Sequence, residues 1–197
     1  MAEARGLIAP SAPQLPSSAS IVICLLECPE LWRRTRRVGD VGGIDVRRFN
    51  AMAPPAADAR SAQVWQFEHR ALSAGTRWAS LELADAARSL RTLHGASTLK
   101  STRAGTCHAI CAWIDFSYNL SAEAASAASA GGLEVRTGPA AAAGAPSTTP
   151  EFGATPWSQA VLFLDEPRTI ASAGESVDVK LTLSLARGGA LRGGLAP

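Results

Sequence analysis

A mainly β fold is what this sequence predicts: a partial antiparallel β-barrel or sandwich with a short helical arm and disordered Ala/Gly/Pro insertions. Three observations point there. Val177, Val179, Leu181, Leu183 and Leu185 alternate with Asp178, Lys180, Thr182 and Ser184, a period of two that only a strand keeps on one face. Residues 21–26 (IVICLL) and 107–118 (CHAICAWIDFSY) are apolar runs rich in strand-forming types, as in strands buried on both sides. Several such segments are separated by turn residues, with no regularly alternating helices between them.

The elements follow in chain order. Residues 1–20 are loose and rich in Pro, Ala and Ser, and residues 21–26 form the first buried strand. A helix comes next: Pro29 suits its first position, Glu30 complements its positive end, and Arg33, Arg34, Arg36 and Arg37 complement its negative end. Gly39 is placed to stop it. The run WRRTRR reads as a solvated helix end, with a phosphate-binding patch or nuclear-import signal as the alternative. Residues 41–50 carry the pair Gly42-Gly43, and residues 51–60 read as a Pro/Ala linker. Weak strands are expected at 64–67, 78–83 and 94–99, with a short helix as an alternative over 84–93. Residues 107–118 are the firmest central strand. Residues 121–132 and 139–150 are Ala/Gly/Ser/Pro-rich insertions that cannot bury enough apolar surface to offset their ordering entropy. The last strands are 159–164 and 177–185, with turns at 165–167 and 173–175.

Composition narrows the function classes. With 197 residues the chain can bury roughly 70% of its unfolded surface. A net charge of +2, from 19 basic and 17 acidic residues, calls for no nucleic-acid or membrane partner. No stretch reaches the roughly 20 apolar residues of a membrane span, and residues 1–14 lack the apolar core of a secretory signal. A cytoplasmic or nuclear setting is expected.

The four cysteines form two pairs, Cys24 with Cys28 and Cys107 with Cys111, and His108 lies beside the second. On a strand, positions i and i+4 share a face but sit about 13 Å apart. One zinc ion holds its ligands at about 2.0–2.3 Å, so no metal site is expected. Buried free thiols acting as small hydrophobes are the reading.

Residues 105–118 (GTCHAICAWIDFSY) and 155–167 (TPWSQAVLFLDEP) together resemble the strands flanking the Thr-His-Trp loop in the C-terminal barrel of the protein arginine methyltransferases. The likeness extends in order along the chain. Residues 6–11 and 17–26 are similar to the family's first barrel strands after its double-glutamate loop, and residues 28–50, with the phrase Gly43-Ile44-Asp45, to its dimerisation arm. Residues 133–139 (LEVRTGP) resemble the strand and turn before the Thr-His-Trp loop, and residues 159–185 the closing hairpin.

The resemblance implies three parts: first barrel strands at 1–28 after a missing catalytic domain, an arm at 29–50, and a barrel-like unit at 51–197. It implies methyl transfer from S-adenosylmethionine to a guanidinium, which carboxylates must hold and orient because it is a poor nucleophile while protonated. No catalytic, cofactor-binding or metal residue is assigned here: no Gly-rich loop follows a strand, and Glu3 and Glu27 stand alone. S-adenosylmethionine is expected only in the missing domain. Pro156 stands where the family has its loop histidine, so Thr155 and Trp157 are the substrate-side candidates. The pair Asp165-Glu166 reads as a solvated turn. Arg187-Gly188-Gly189 and Arg192-Gly193-Gly194 look like the repeats such enzymes methylate, or like flexible terminal filler. Partners implied are Arg-Gly-rich protein substrates, and a second copy or a methyltransferase docked through 29–50. The alternatives are a non-catalytic regulatory module and an unrelated β-sandwich binding domain.

Overall fold

The computed structural model describes residues 15–53, 55, 57–83, 92–118, 133–138, 156–184 and 190–196. The predicted insertions at 121–132 and 139–150, residues 84–91 of the alternative helix over 84–93, Thr155, and the first Arg-Gly-Gly repeat lie outside them, and residues 92–93 belong to a strand.

The larger sheet is built around β1 (Ser18–Glu27) and β8 (Gly105–Tyr118), antiparallel with Cys24 opposite Cys111 and Ile21 opposite Ile114. On its other side β1 pairs with β6 (Thr76–Glu82) and β5 (Arg70–Ala71). Two strands share the far side of β8: β10 (Gln159–Ile170) takes its first half and β9 (Leu133–Arg136) its second. β4 (Arg60–Ala62) adds to the edge of β10. A three-stranded sheet of β12 (Ala190–Leu195), β11 (Ser176–Ser184) and β7 (Thr92–Lys100) packs against it. These two sheets share no ladder among the described residues, a sandwich-like arrangement in place of a closed barrel, and a small third sheet lies apart in the arm.

The core explains the sequence pattern. Between the sheets, Ile21, Ile23 and Leu25 of β1, Ile110 of β8 and Leu162 of β10 meet Leu99, Val177, Val179 and Leu181. This is why β11 alternates: Val177, Val179 and Leu181 are buried, while Ser176, Asp178 and Lys180 face solvent. The opposite face of the larger sheet is also covered. Cys24 and Leu26 of β1, Cys111 and Val161 pack there with Leu31 and Val64. A strand covered on both faces has to be apolar throughout, as residues 21–26 are. Each fully buried Ile or Leu contributes about 1.5–3 kcal/mol, so β1, with Ile23, Leu25 and Leu26 fully enclosed, is the strand the fold can least spare.

Several expectations change. The helix α1 (Pro29–Thr35) has Pro29 and Glu30 where expected but stops before Gly39, at an extended Arg36. Thr35 Oγ1 turns back to the carbonyls of Leu31 and Trp32 at 2.9 and 3.2 Å, a local bond that competes with continuing the helix. Beyond α1 the segment predicted as a helical arm is a hairpin, β2 (Asp40–Val41) and β3 (Ile44–Asp45), and then a 3₁₀ helix over Arg47–Met52. Gly42 and Gly43, both at positive φ (61° and 84°), make the hairpin turn. Val64–Gln66 is a 3₁₀ turn where a strand was expected. Only Val64 of it is buried, and its amide bonds to the Gln159 side chain instead of a ladder.

Residues 165–167 do not turn the chain. They sit in a bulge of β10, where Phe163 pairs with Ala109 and Arg168 with Cys107, so β10 spends more residues than β8 across the same span. Pro167, which has no N–H to give a ladder, is accommodated by such a bulge. The predicted turn at 173–175 is present, with Gly174 at φ 86°. The second Arg-Gly-Gly repeat is no flexible tail: it lies in β12, with Arg192 opposite Thr182 and Gly193 opposite Leu181. A Cβ on Gly193 would stand 2.1 Å from the Lys180 carbonyl oxygen, so glycine is required for this pairing.

The cysteines are free and buried as expected. Their faces differ from the expectation, however: Cys107 joins the core between the sheets and Cys111 the opposite cluster. The strict alternation assumed for 107–111 fails opposite the β10 bulge. No group of three or more His, Cys, Asp or Glu side chains placed to hold a metal occurs among the described residues. No helix among them is long and apolar enough to cross a membrane.

Candidate functional site

Two features project from this scaffold, and both are held by bonds from buried or half-buried side chains. The first is the arm. Leu31 packs under the larger sheet, and Trp32 Nε1 donates to the Leu164 carbonyl at 2.7 Å, tying α1 to the β10 bulge. The Trp32 ring lies 5.9 Å from His108, tilted by 57°, and the Arg36 guanidinium lies over it at 5.5 Å from the ring centroid. His108 Nδ1 accepts the Cys28 amide at 3.3 Å at the start of α1. An accepting Nδ1 bears no proton, and burial pushes the imidazole below its ordinary pKa, so the ring is held neutral.

Beyond the helix the arm closes on itself. Asn50 accepts the Val38 amide at 3.0 Å and donates to the Val38 carbonyl at 2.7 Å. Asp40 accepts the Gly43 amide at 2.8 Å, and Arg47 donates to Asp45. That Arg47 hydrogen bond holds the exposed Asp45 carboxyl below the usual carboxylate range. So braced, the arm leaves large apolar side chains in solvent: Val41 at 59% exposed, Ile44 at 67%, Phe49 at 64% and Met52 at 82%. Exposed apolar side chains that adjoin one another are a common feature of interaction surfaces, whereas scattered ones are ordinary.

The second feature is the loop before β10. Of the predicted substrate-side pair, Thr155 lies outside the described residues and Trp157 is half-exposed. Pro156 and Trp157 are held from below by two glutamines. Gln159, only 1% exposed, donates to the Trp157 carbonyl at 3.1 Å and accepts the Val64 amide at 3.2 Å. Gln63 donates to the Pro156 carbonyl at 3.4 Å. Sequence reasoning singled out neither Gln159 nor Asn50. Both are polar residues beside strand or helix ends, a signal shared with many solvated side chains.

Asp165 and Glu166 are exposed on the bulge, against the arm. Gly42-Gly43 closes a hairpin and opens no helix, so this glycine pair does not fit a nucleotide cradle. Burial pushes the Cys28 thiol up to about 12 and the Cys107 thiol to about 11, and it raises Cys111 as well. Thiols held protonated in this way are poor nucleophiles.

No protein-family model matches the chain. Over 122 residues it is 26% identical to protein arginine N-methyltransferase 7 of Bos taurus, which takes in 59% of this chain and 17% of the bovine protein. Its fold is similar to a chain of the Trypanosoma brucei PRMT1 enzyme–prozyme heterotetrameric complex with AdoHcy, at a TM-score of 0.67 and 17% identity. That superposition covers 93% of this chain and 53% of the trypanosome chain. The chain therefore spans about half of the solved relative and a much smaller part of the curated one. The sequence likeness over part of the chain and the shared fold support the resemblance to the protein arginine methyltransferases.

Proposed function

We propose that this chain is the substrate-side and dimerisation portion of an arginine methyltransferase-like protein, catalytically incomplete by itself. One observation carries the reading: a half-length match to a methyltransferase fold joined to an internally braced arm with uncovered apolar side chains. In this reading the arm, residues 29–50, seats a second copy or a complete methyltransferase. S-adenosylmethionine and the acids that orient the guanidinium are held elsewhere, by another domain or chain. Trp157 forms the rim over which an Arg-Gly-rich substrate enters, and Gln159 fixes that rim. The setting is cytoplasmic or nuclear.

Pro156 bears on the chemistry. A histidine there would offer two ring nitrogens to hydrogen-bond acids across the site, whereas a proline ring offers none. The loop can then shape the entrance but cannot share a proton with the reaction. With radiolabelled S-adenosylmethionine and an Arg-Gly-Gly peptide, the isolated chain should transfer no methyl group. Robust turnover by the purified chain would overturn the proposal.

A further inference from the structure

Between α1 and the β10 bulge runs a groove of about 480 Å³. Trp32 and Phe163 line it, Arg36, Arg37 and Arg60 supply positive charge, and Asp165 and Glu166 of the bulge supply negative charge. The ion pairs among the described residues engage other groups: Arg34 with Glu30, Arg47 with Asp45, Arg70 with Glu27, Arg136 with Glu134, Arg168 with Glu175 and Arg192 with Asp58. None of the groove's five charges is in an ion pair there, and the opposite signs do not bridge the groove.

We propose that this groove is a docking channel for an extended peptide segment of a partner protein carrying an acidic and a basic residue a few positions apart. Charge complementarity selects that occupant. A purely acidic segment would satisfy the arginines and be repelled by Asp165 and Glu166, and an Arg-Gly segment would meet the reverse. A segment with both signs pairs with both and lays its apolar stems on Trp32 and Phe163. The groove is preorganised for this. The Trp32 bond to Leu164 fixes the helix against the bulge, and Asn50, itself on the lining, fixes the chain leaving the helix. The proposal goes beyond the methyltransferase reading, since it needs neither methyl transfer nor the apolar arm surface.

The test is fluorescence anisotropy on the full chain with labelled peptides of about ten residues: Glu and Arg spaced by Gly, all-Glu with Gly, and Arg-Gly repeats. The mixed peptide should bind about tenfold tighter than either single-sign peptide. The double variant Arg36→Glu/Arg60→Glu and the double variant Asp165→Lys/Glu166→Lys should each remove that advantage. These residues lie at the surface or half-buried, and thermal melts identical to the parent's will show that both variants fold. Equal binding of all three peptides would overturn the proposal. So would a mixed-peptide affinity indifferent to both reversals, or tighter binding of a single-stranded RNA of equal length. Self-association should be unchanged in Asp165→Lys/Glu166→Lys, whose residues lie outside the arm, which separates this result from any failure of the arm to dimerise.

Discussion

Replacing Ile44 and Phe49 by lysine tests the arm directly. Both side chains are about two-thirds exposed, at 67% and 64%. Burying a whole Ile or Phe is worth about 1.5–3 kcal/mol, so covering the exposed part of each in an interface contributes about 1–2 kcal/mol. Together they supply about 2–4 kcal/mol, and with a tenfold change per 1.4 kcal/mol the double variant should associate about 30- to 700-fold more weakly. Lysines forced into the contact would add a desolvation cost, which makes the estimate a lower bound. Folding should hardly change, because surface substitutions usually move stability by about 0.5 kcal/mol or less, or about 1–2 °C in Tm for a chain of this size. Sedimentation velocity over a concentration series, alone and with a complete methyltransferase, measures the association. A variant that melts normally yet associates within threefold of the parent in both settings would refute the assignment of this surface as the docking face.

Four further outcomes are expected. Gln159→Leu strips the support from the Val64 amide and the Trp157 carbonyl, and should cost about 1–3 kcal/mol with a shift in tryptophan emission on a folded chain. Gly193→Ala cannot place its Cβ beside the Lys180 carbonyl, so β12 should lift and the amides of β11 should exchange hydrogen faster. The buried thiols should be nearly inert to a thiol reagent at pH 8, and all four should react once the chain is unfolded in guanidinium. His108, whose native pKa lies below its unfolded value, binds a proton more readily in the unfolded chain. Stability should therefore be full above about pH 6.5 and decline as pH falls toward the depressed native value. Urea midpoints compared between parent and His108→Phe across that window should show the slope flattened in the variant.

The sequence revealed the strands whose side chains face a single physical environment. β11 borders solvent on one face and core on the other, and so alternates; β1 is covered on both sides, and so reads apolar throughout. The segments it misassigned are governed by long-range bonds. Val64–Gln66 has strand-like residues, yet the Gln159 side chain, 95 positions away, takes its first amide and bends it. Asp165-Glu166-Pro167 has turn chemistry, yet the ladder resumes at Arg168 because β8 continues alongside. Arg192-Gly193-Gly194 has the composition of a flexible tail, yet Gly193 allows β12 to approach β11 closely, and Asp58 lies 2.6 Å from Arg192. Local propensity was correct at each place and was overridden by a partner that no window of sequence contains.

The same logic explains why the candidate site was only half legible. Motif order pointed to residues 29–50 and to Trp157, but the bonds that hold each segment come from a buried or half-buried amide side chain. Asn50 satisfies both backbone groups of Val38, and Gln159 bonds to both the Trp157 carbonyl and the Val64 amide. A flexible arm would lose ordering entropy on docking, of about 0.5–1.5 kcal/mol for each immobilised side chain, and its apolar tips would be correspondingly weak anchors. Bracing moves that cost into folding. Asn50→Ala should therefore weaken association although Asn50 need touch no partner, and the loss should shrink when the hairpin is restrained by another route. If Asn50→Ala leaves association intact while Ile44→Lys abolishes it, the apolar tips act alone and the bracing has no part in recognition.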